Sequence, residues 1–139
     1  MSEASRRLAG ILLIVLPTVA FGGTSVLTLL ISDPAYQENA LRQDLWRAGH
    51  AHAGVLLLLS LIALRYVDEA VLGPTARAVA RHAIPAAAIL LPLAFFGSVL
   101  SPDATEPNAL ISLAYVGAVS LTVGVLTLGI GLIRRRPAA

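Results

Sequence analysis

The sequence predicts an all-α protein, an integral membrane antiparallel four-helix bundle, and three observations carry that reading. Apolar residues make up 57% of the 139 and charged residues only 13%, against about 25% charged in ordinary soluble domains. The apolar residues gather into four long segments, each near the roughly 20 residues a helix needs to cross a bilayer. The ten basic residues, all arginine, stand at the ends of those segments. One domain accounts for the whole length.

The first span covers about residues 8–31, interrupted by Pro17, Gly22, Gly23 and small hydroxyl residues, which membrane helices tolerate because neighbours satisfy freed backbone groups. It exceeds a signal-peptide core and lacks a cleavage site, so it reads as a retained span. Asp33 and Pro34 then supply a cap and a first helical residue. Tyr36 to Trp46 is polar but helix-compatible, with Glu38 and Arg42 four residues apart. The second span, about 46–67, therefore carries a helical extension out of the membrane.

Gly73 and Pro74 break that helix. Thr75 to His82, with Arg77 and Arg81, reads as a short interfacial turn against the headgroups. The third span covers about 84–100, with Pro85 at its start and Pro92 as a kink. A brief polar connection leads to Pro107, which opens the fourth span, about 107–133. A connection that short makes the last two helices antiparallel neighbours.

Arg6, Arg7, Arg65, Arg77, Arg81, Arg134, Arg135 and Arg136 fall at the termini and middle loop, and only Arg42 and Arg47 in the other two loops. That asymmetry predicts a multi-pass protein of the cell inner (plasma) membrane with N and C termini cytoplasmic. The arginines mark helix ends and form no contiguous patch, so no nucleic-acid partner is expected. The absence of cysteine excludes disulfides, thiolate metal sites and thiol catalysis.

Helices in lipid associate through close backbone approach and polar contacts. Gly117, Gly124 and Gly131 recur every seven residues, with Ser120 and Thr127 nearby, and require a close partner: the first helix, through Thr18, Gly22 and Ser25, or another subunit. A homo-oligomer or a larger membrane complex is expected on this basis. Asn108, Ser112 and Tyr115 form a polar face near the outer end of the fourth span. Asp103 and Glu106 either solvate their loop or reach Arg47.

Chemistry, if any, resides in Arg47-Ala48-Gly49-His50-Ala51-His52-Ala53-Gly54. Ionisable side chains entering a membrane are costly and default to a functional reading. With Trp46 at the interface, His50 and His52 lie about 6 and 9 Å inward. Residues two apart on a helix point about 200° apart. The two imidazoles therefore serve different neighbours, His50 sharing a face with Arg47 and Gly54, and His52 with Ala48, Gly49 and Leu56. Three readings stay open: interfacial anchoring, ligation of haem or another metal by His50 and His52, and proton transfer or substrate contact.

The segment Gly49 to Gly54 resembles the His-x-His helix of the nitric oxide reductase large subunit and other haem-copper oxidase catalytic subunits. There the two histidines ligate different haems. The resemblance implies His50 and His52 as axial ligands; with haem b or another metal there, Arg47 is available for a propionate or other anion. No other span carries a histidine, so a haem here would need single-histidine ligation, a non-histidine partner, or a second subunit donating its own histidine. The overall plan, with Phe95, Phe96 and Gly97 in the third helix, also resembles hydroxylaminobenzene mutase, which implies a membrane isomerase. A packing subunit without chemistry is the remaining alternative. No nucleotide loop, Ser-His-Asp order or zinc motif occurs.

Overall fold

The computed structural model describes residues 1–135, and Arg136 lies outside them. Its elements are α1 (Glu3–Ser32), the single-turn α2 (Pro34–Gln37), α3 (Ala40–Tyr66), α4 (Pro74–Gly97), a 3₁₀ turn (Ala109–Ser112) and α5 (Leu113–Ile133). Four helical stretches are long and apolar enough to cross a membrane: α1, α3, α4, and Ala109–Ile133. Their surfaces carry Ile14, Phe21, Ile62, Ile89 and Val119 fully outward, as a lipid solvent requires. Antiparallel connections put both described ends, the α3–α4 loop and most arginines at one pole, here the terminal pole. The opposite, loop pole holds α2, Arg42, Arg47 and the α4–α5 connection.

The helices pack in the order α1, α3, α4, α5, with α4 against both α3 and α5 and α1 chiefly against α3. Only Ser5 and Leu12 of α1 are buried. The glycine stripe of α5 meets α4 and the α3–α4 connection, and not α1. A Cβ on Gly117 would stand 2.9 Å from Leu91 Cγ, and one on Gly124 2.8 Å from Ile84 Cγ1 and 3.2 Å from Ile84 N. A Cβ on Gly131 would stand 2.6 Å from Leu72 Cγ, in the α3–α4 connection. Ser120 Oγ adds a hydrogen bond to the Ala83 carbonyl at 2.8 Å across the same seam. Small residues here let two backbones close to contact.

Caps fix the loop pole. Asp33 ends α1, its N–H donating to Leu29 O, while its carboxylate accepts from Tyr36 N at 3.2 Å with Pro34 at the first helical position of α2. Helix α3 starts afresh at Asn39, whose side chain accepts from Arg42 N and donates to Pro102 O and Ala104 O at 3.1 and 2.9 Å. The fourth span opens at Asn108 instead of Pro107. Its Oδ1 accepts from Leu110 N and its Nδ2 donates to Gly97 O at 3.0 Å, clamping the end of α4 to the start of α5.

Thr75 to His82 is no separate interfacial turn but the first turns of a continuous α4, with Pro85 and Pro92 both buried inside it. Arg81, in these first turns, joins α4 to its neighbours. It is tied by an ion pair to Asp68 at 3.1 Å and by a hydrogen bond to Ser5 Oγ at 3.1 Å. Asp68 also accepts from Ser2 N at 2.7 Å. This network staples the start of α1 to the α3–α4 junction. Desolvation raises the Asp68 pKa, but hydrogen bonds from Ser2, Ser5 and Arg81 outweigh it and hold it at about 2.

Candidate functional site

The two histidines of α3 stand on opposite seams, as their spacing of two requires. His50 faces α1. A Cβ on Gly23 would lie 2.9 Å from His50 Cε1 and 3.0 Å from Nε2, so the missing side chain at 23 is what admits the imidazole. Gly54, one turn on, faces Val19 of α1. The neighbour that approaches His50 is thus the α1 backbone at Gly23.

His52 faces α4. Its ring lies 5.1 Å from that of Phe95, tilted by 54°, and its Nδ1 is 2.7 Å from the Ala48 carbonyl oxygen. A carbonyl can only accept, so Nδ1 carries a proton, and in the neutral ring Nε2 is then the nitrogen with the lone pair. A shallow cavity of about 150 Å³ opens beside it, lined by Ala51, His52, Val55 and Leu56. On the same seam Gly49 lies beneath Phe96, whose ring atoms would meet a Cβ at 2.9 Å. His82 makes the same backbone contact, Nδ1 to Ala78 O at 2.9 Å, but is exposed at the terminal pole. What distinguishes His52 is the bond together with half-burial beside an aromatic ring.

Arg47 joins neither group. It pairs with Asp44 at 2.7 Å, with both side chains largely exposed, and its Nε donates to Gln43 O. Asp103 and Glu106 form no ion pair with it and remain exposed in their loop. Asn108 and Ser112 bond to Gly97 O and Ala109 O, and Tyr115 is exposed, so that polar face does not meet the histidines. Among the described residues, no three His, Asp or Glu side chains come together as a metal cluster.

The sequence reading missed Arg42. In place of a surface pair with Glu38, the residue is 5% exposed and its guanidinium lies 4.9 Å from the Trp46 ring centre and 5.7 Å from that of Tyr36. Nε donates to the Val99 carbonyl at 3.2 Å, just past the carboxyl end of α4, where the helix dipole favours a cation. Trp46 in turn meets Phe96 edge-on at 5.9 Å. Burial raises the Tyr36 pKa, the charges of Arg47 and Arg42 oppose the rise, and Asp44 adds to it. The spacing of four between Arg42 and Trp46 was the available signal, since it places them on one face.

Comparison with protein-family models, with curated proteins and with solved structures returned no match. The resemblances to haem-copper oxidase subunits and to hydroxylaminobenzene mutase therefore rest on the quoted residues alone.

Proposed function

We propose that this four-span protein lies in the plasma membrane with both termini in the cytoplasm and holds a haem b, or a similar flat metal complex, by single-histidine ligation from His52. The observation that carries the reading is the Nδ1 contact with Ala48 O, which leaves Nε2 as the free nitrogen beside Phe95. Fixing one ring nitrogen on a carbonyl is how ligating histidines are commonly oriented. A lone metal ion fits less well, because among the described residues no three His, Asp or Glu side chains gather to hold one.

The cavity beside His52, about 150 Å³, falls below the roughly 300–1,000 Å³ of small-molecule sites. One chain therefore offers one wall of such a site, and a second copy would close the other side. A bound haem would contribute redox or ligand-binding chemistry; the chain contributes the orientation of His52 and an apolar surround. His50 is assigned to packing against α1, and Arg47 to the headgroup region.

Absorption spectra of protein purified from cells supplied with haem precursor test this. A Soret band that His52→Ala abolishes and His50→Ala retains is the expected result. Colourless wild-type protein, or equal loss in both variants, rejects the assignment.

A further inference from the structure

The loop pole holds three buried polar atoms that find no hydrogen-bond partner: Arg42 Nη1, Tyr36 Oη and Trp46 Nε1. They belong to three side chains in mutual contact. The Tyr36 and Trp46 rings are 5.7 Å apart, and the guanidinium lies within 5.7 Å of both centres. Arg42 and Tyr36 are 95% and 99% buried, reading from exposures of 5% and 1%.

The chemistry of the orphans is one-sided. Arginine and indole N–H groups can only donate, and a phenol donates readily. What is missing is an acceptor. Charge leads to the same conclusion, because among the described residues no carboxylate lies within ion-pair distance of Arg42; the nearby Asp44 is engaged by Arg47. A buried cation with a single carbonyl partner is strongly unfavourable unless something neutralises it, and two aromatic faces supply only part of that. The near-complete burial of Arg42 and Tyr36 favours a small anion over a bulky phosphodiester headgroup.

We infer that Arg42, Tyr36 and Trp46 form a binding site for a small monovalent anion, a halide or a carboxylate of one or two carbons. The anion accepts from Nη1, the phenol and the indole, and so locks α2 onto α3 and the end of α4. This site is independent of His52.

Trp46 is the only tryptophan, so its fluorescence reports on the site without labelling. Full-length protein in detergent micelles and in neutral-lipid nanodiscs is titrated with sodium bromide at constant ionic strength, sodium gluconate replacing it. The expected result is saturable quenching, relieved by chloride and by formate. Arg42→Gln should weaken it roughly tenfold or more, as loss of a charge-assisted hydrogen bond implies, and Tyr36→Phe, which keeps the ring, severalfold. Circular dichroism checks folding, and if Arg42→Gln fails to fold, Tyr36→Phe decides. Linear quenching that is identical in wild type and Tyr36→Phe overturns the proposal, as does saturation that requires anionic lipid instead of added salt. Relief by chloride alone narrows the ligand to a halide, and relief by formate admits carboxylates.

Discussion

Substituting Gly124 by alanine tests the α4–α5 seam, because α5 contains its own control. At Gly124 a Cβ would lie 2.8 Å from Ile84 Cγ1, 3.1 Å from Ala83 Cβ and 3.2 Å from Ile84 N, whereas at Gly129 nothing lies within 4 Å. The backbone nitrogen cannot step aside as a side-chain tip can, so α4 and α5 must separate by several tenths of an ångström. Overpacking of this kind costs about 1–3 kcal/mol. Both substitutions gain the same helix propensity, up to about 1 kcal/mol, and that gain cancels in the comparison. Gly124→Ala should therefore be less stable than Gly129→Ala by about 1–3 kcal/mol, with Gly129→Ala neutral or slightly stabilised. Reversible unfolding of full-length protein in mixed micelles, followed by circular dichroism, measures the difference. Equal stability of the two variants would refute the packing described. So would an effect of Gly124→Ala confined to oligomeric state, since the stripe would then face another chain.

Two further predictions concern other seams. Acid should loosen the terminal pole. The folded Asp68 pKa of about 2 lies below its ordinary 3.8, so the carboxylate adds stability that is complete above about pH 5 and is lost as pH falls through 4 toward 2, about 2 kcal/mol in all. Asp68→Asn should remove that pH dependence, and an unchanged acid limb in unfolding curves contradicts the network. At the α1–α3 seam, Gly23→Ala should destabilise by about 1 kcal/mol or more in the wild type and by much less in a His50→Ala background. A double-mutant cycle reads that coupling, and equal costs in both backgrounds would separate His50 from Gly23.

Much of the architecture was legible because it depends on local pattern. The four apolar runs, the Asp33–Pro34 cap and the division of His50 and His52 between two faces follow from composition, capping chemistry and helical angle alone. Partner choice was not legible. A stripe such as Gly117, Gly124 and Gly131 fits any backbone that approaches it, so nothing in its spacing selects α4 over α1. The start of α4 was misread because Arg77, Arg81 and His82 look like headgroup residues, whereas Arg81 is neutralised by Asp68, thirteen positions earlier, and held by Ser5, seventy-six earlier. Arg42 was missed for a related reason. Its cluster bridges the break at Glu38 and Asn39, and a cation four residues from an acid suggests a surface pair until the fold buries it. At the histidines, the angle between the rings could be derived, but the Gly23 backbone beneath one and the Ala48 carbonyl on the other needed coordinates.

The central claim is that four crossings separate the histidine pole from the terminal pole. Because the chain contains no cysteine, single cysteines at the exposed positions Glu38, Thr75 and Asp103 can be probed in whole cells with a membrane-impermeant maleimide. Labelling of Glu38→Cys and Asp103→Cys on intact cells, with Thr75→Cys reacting only after permeabilisation, is the predicted result. The mirror pattern would reverse the proposed orientation alone; labelling of Thr75→Cys and Asp103→Cys from the same side would contradict the fold itself.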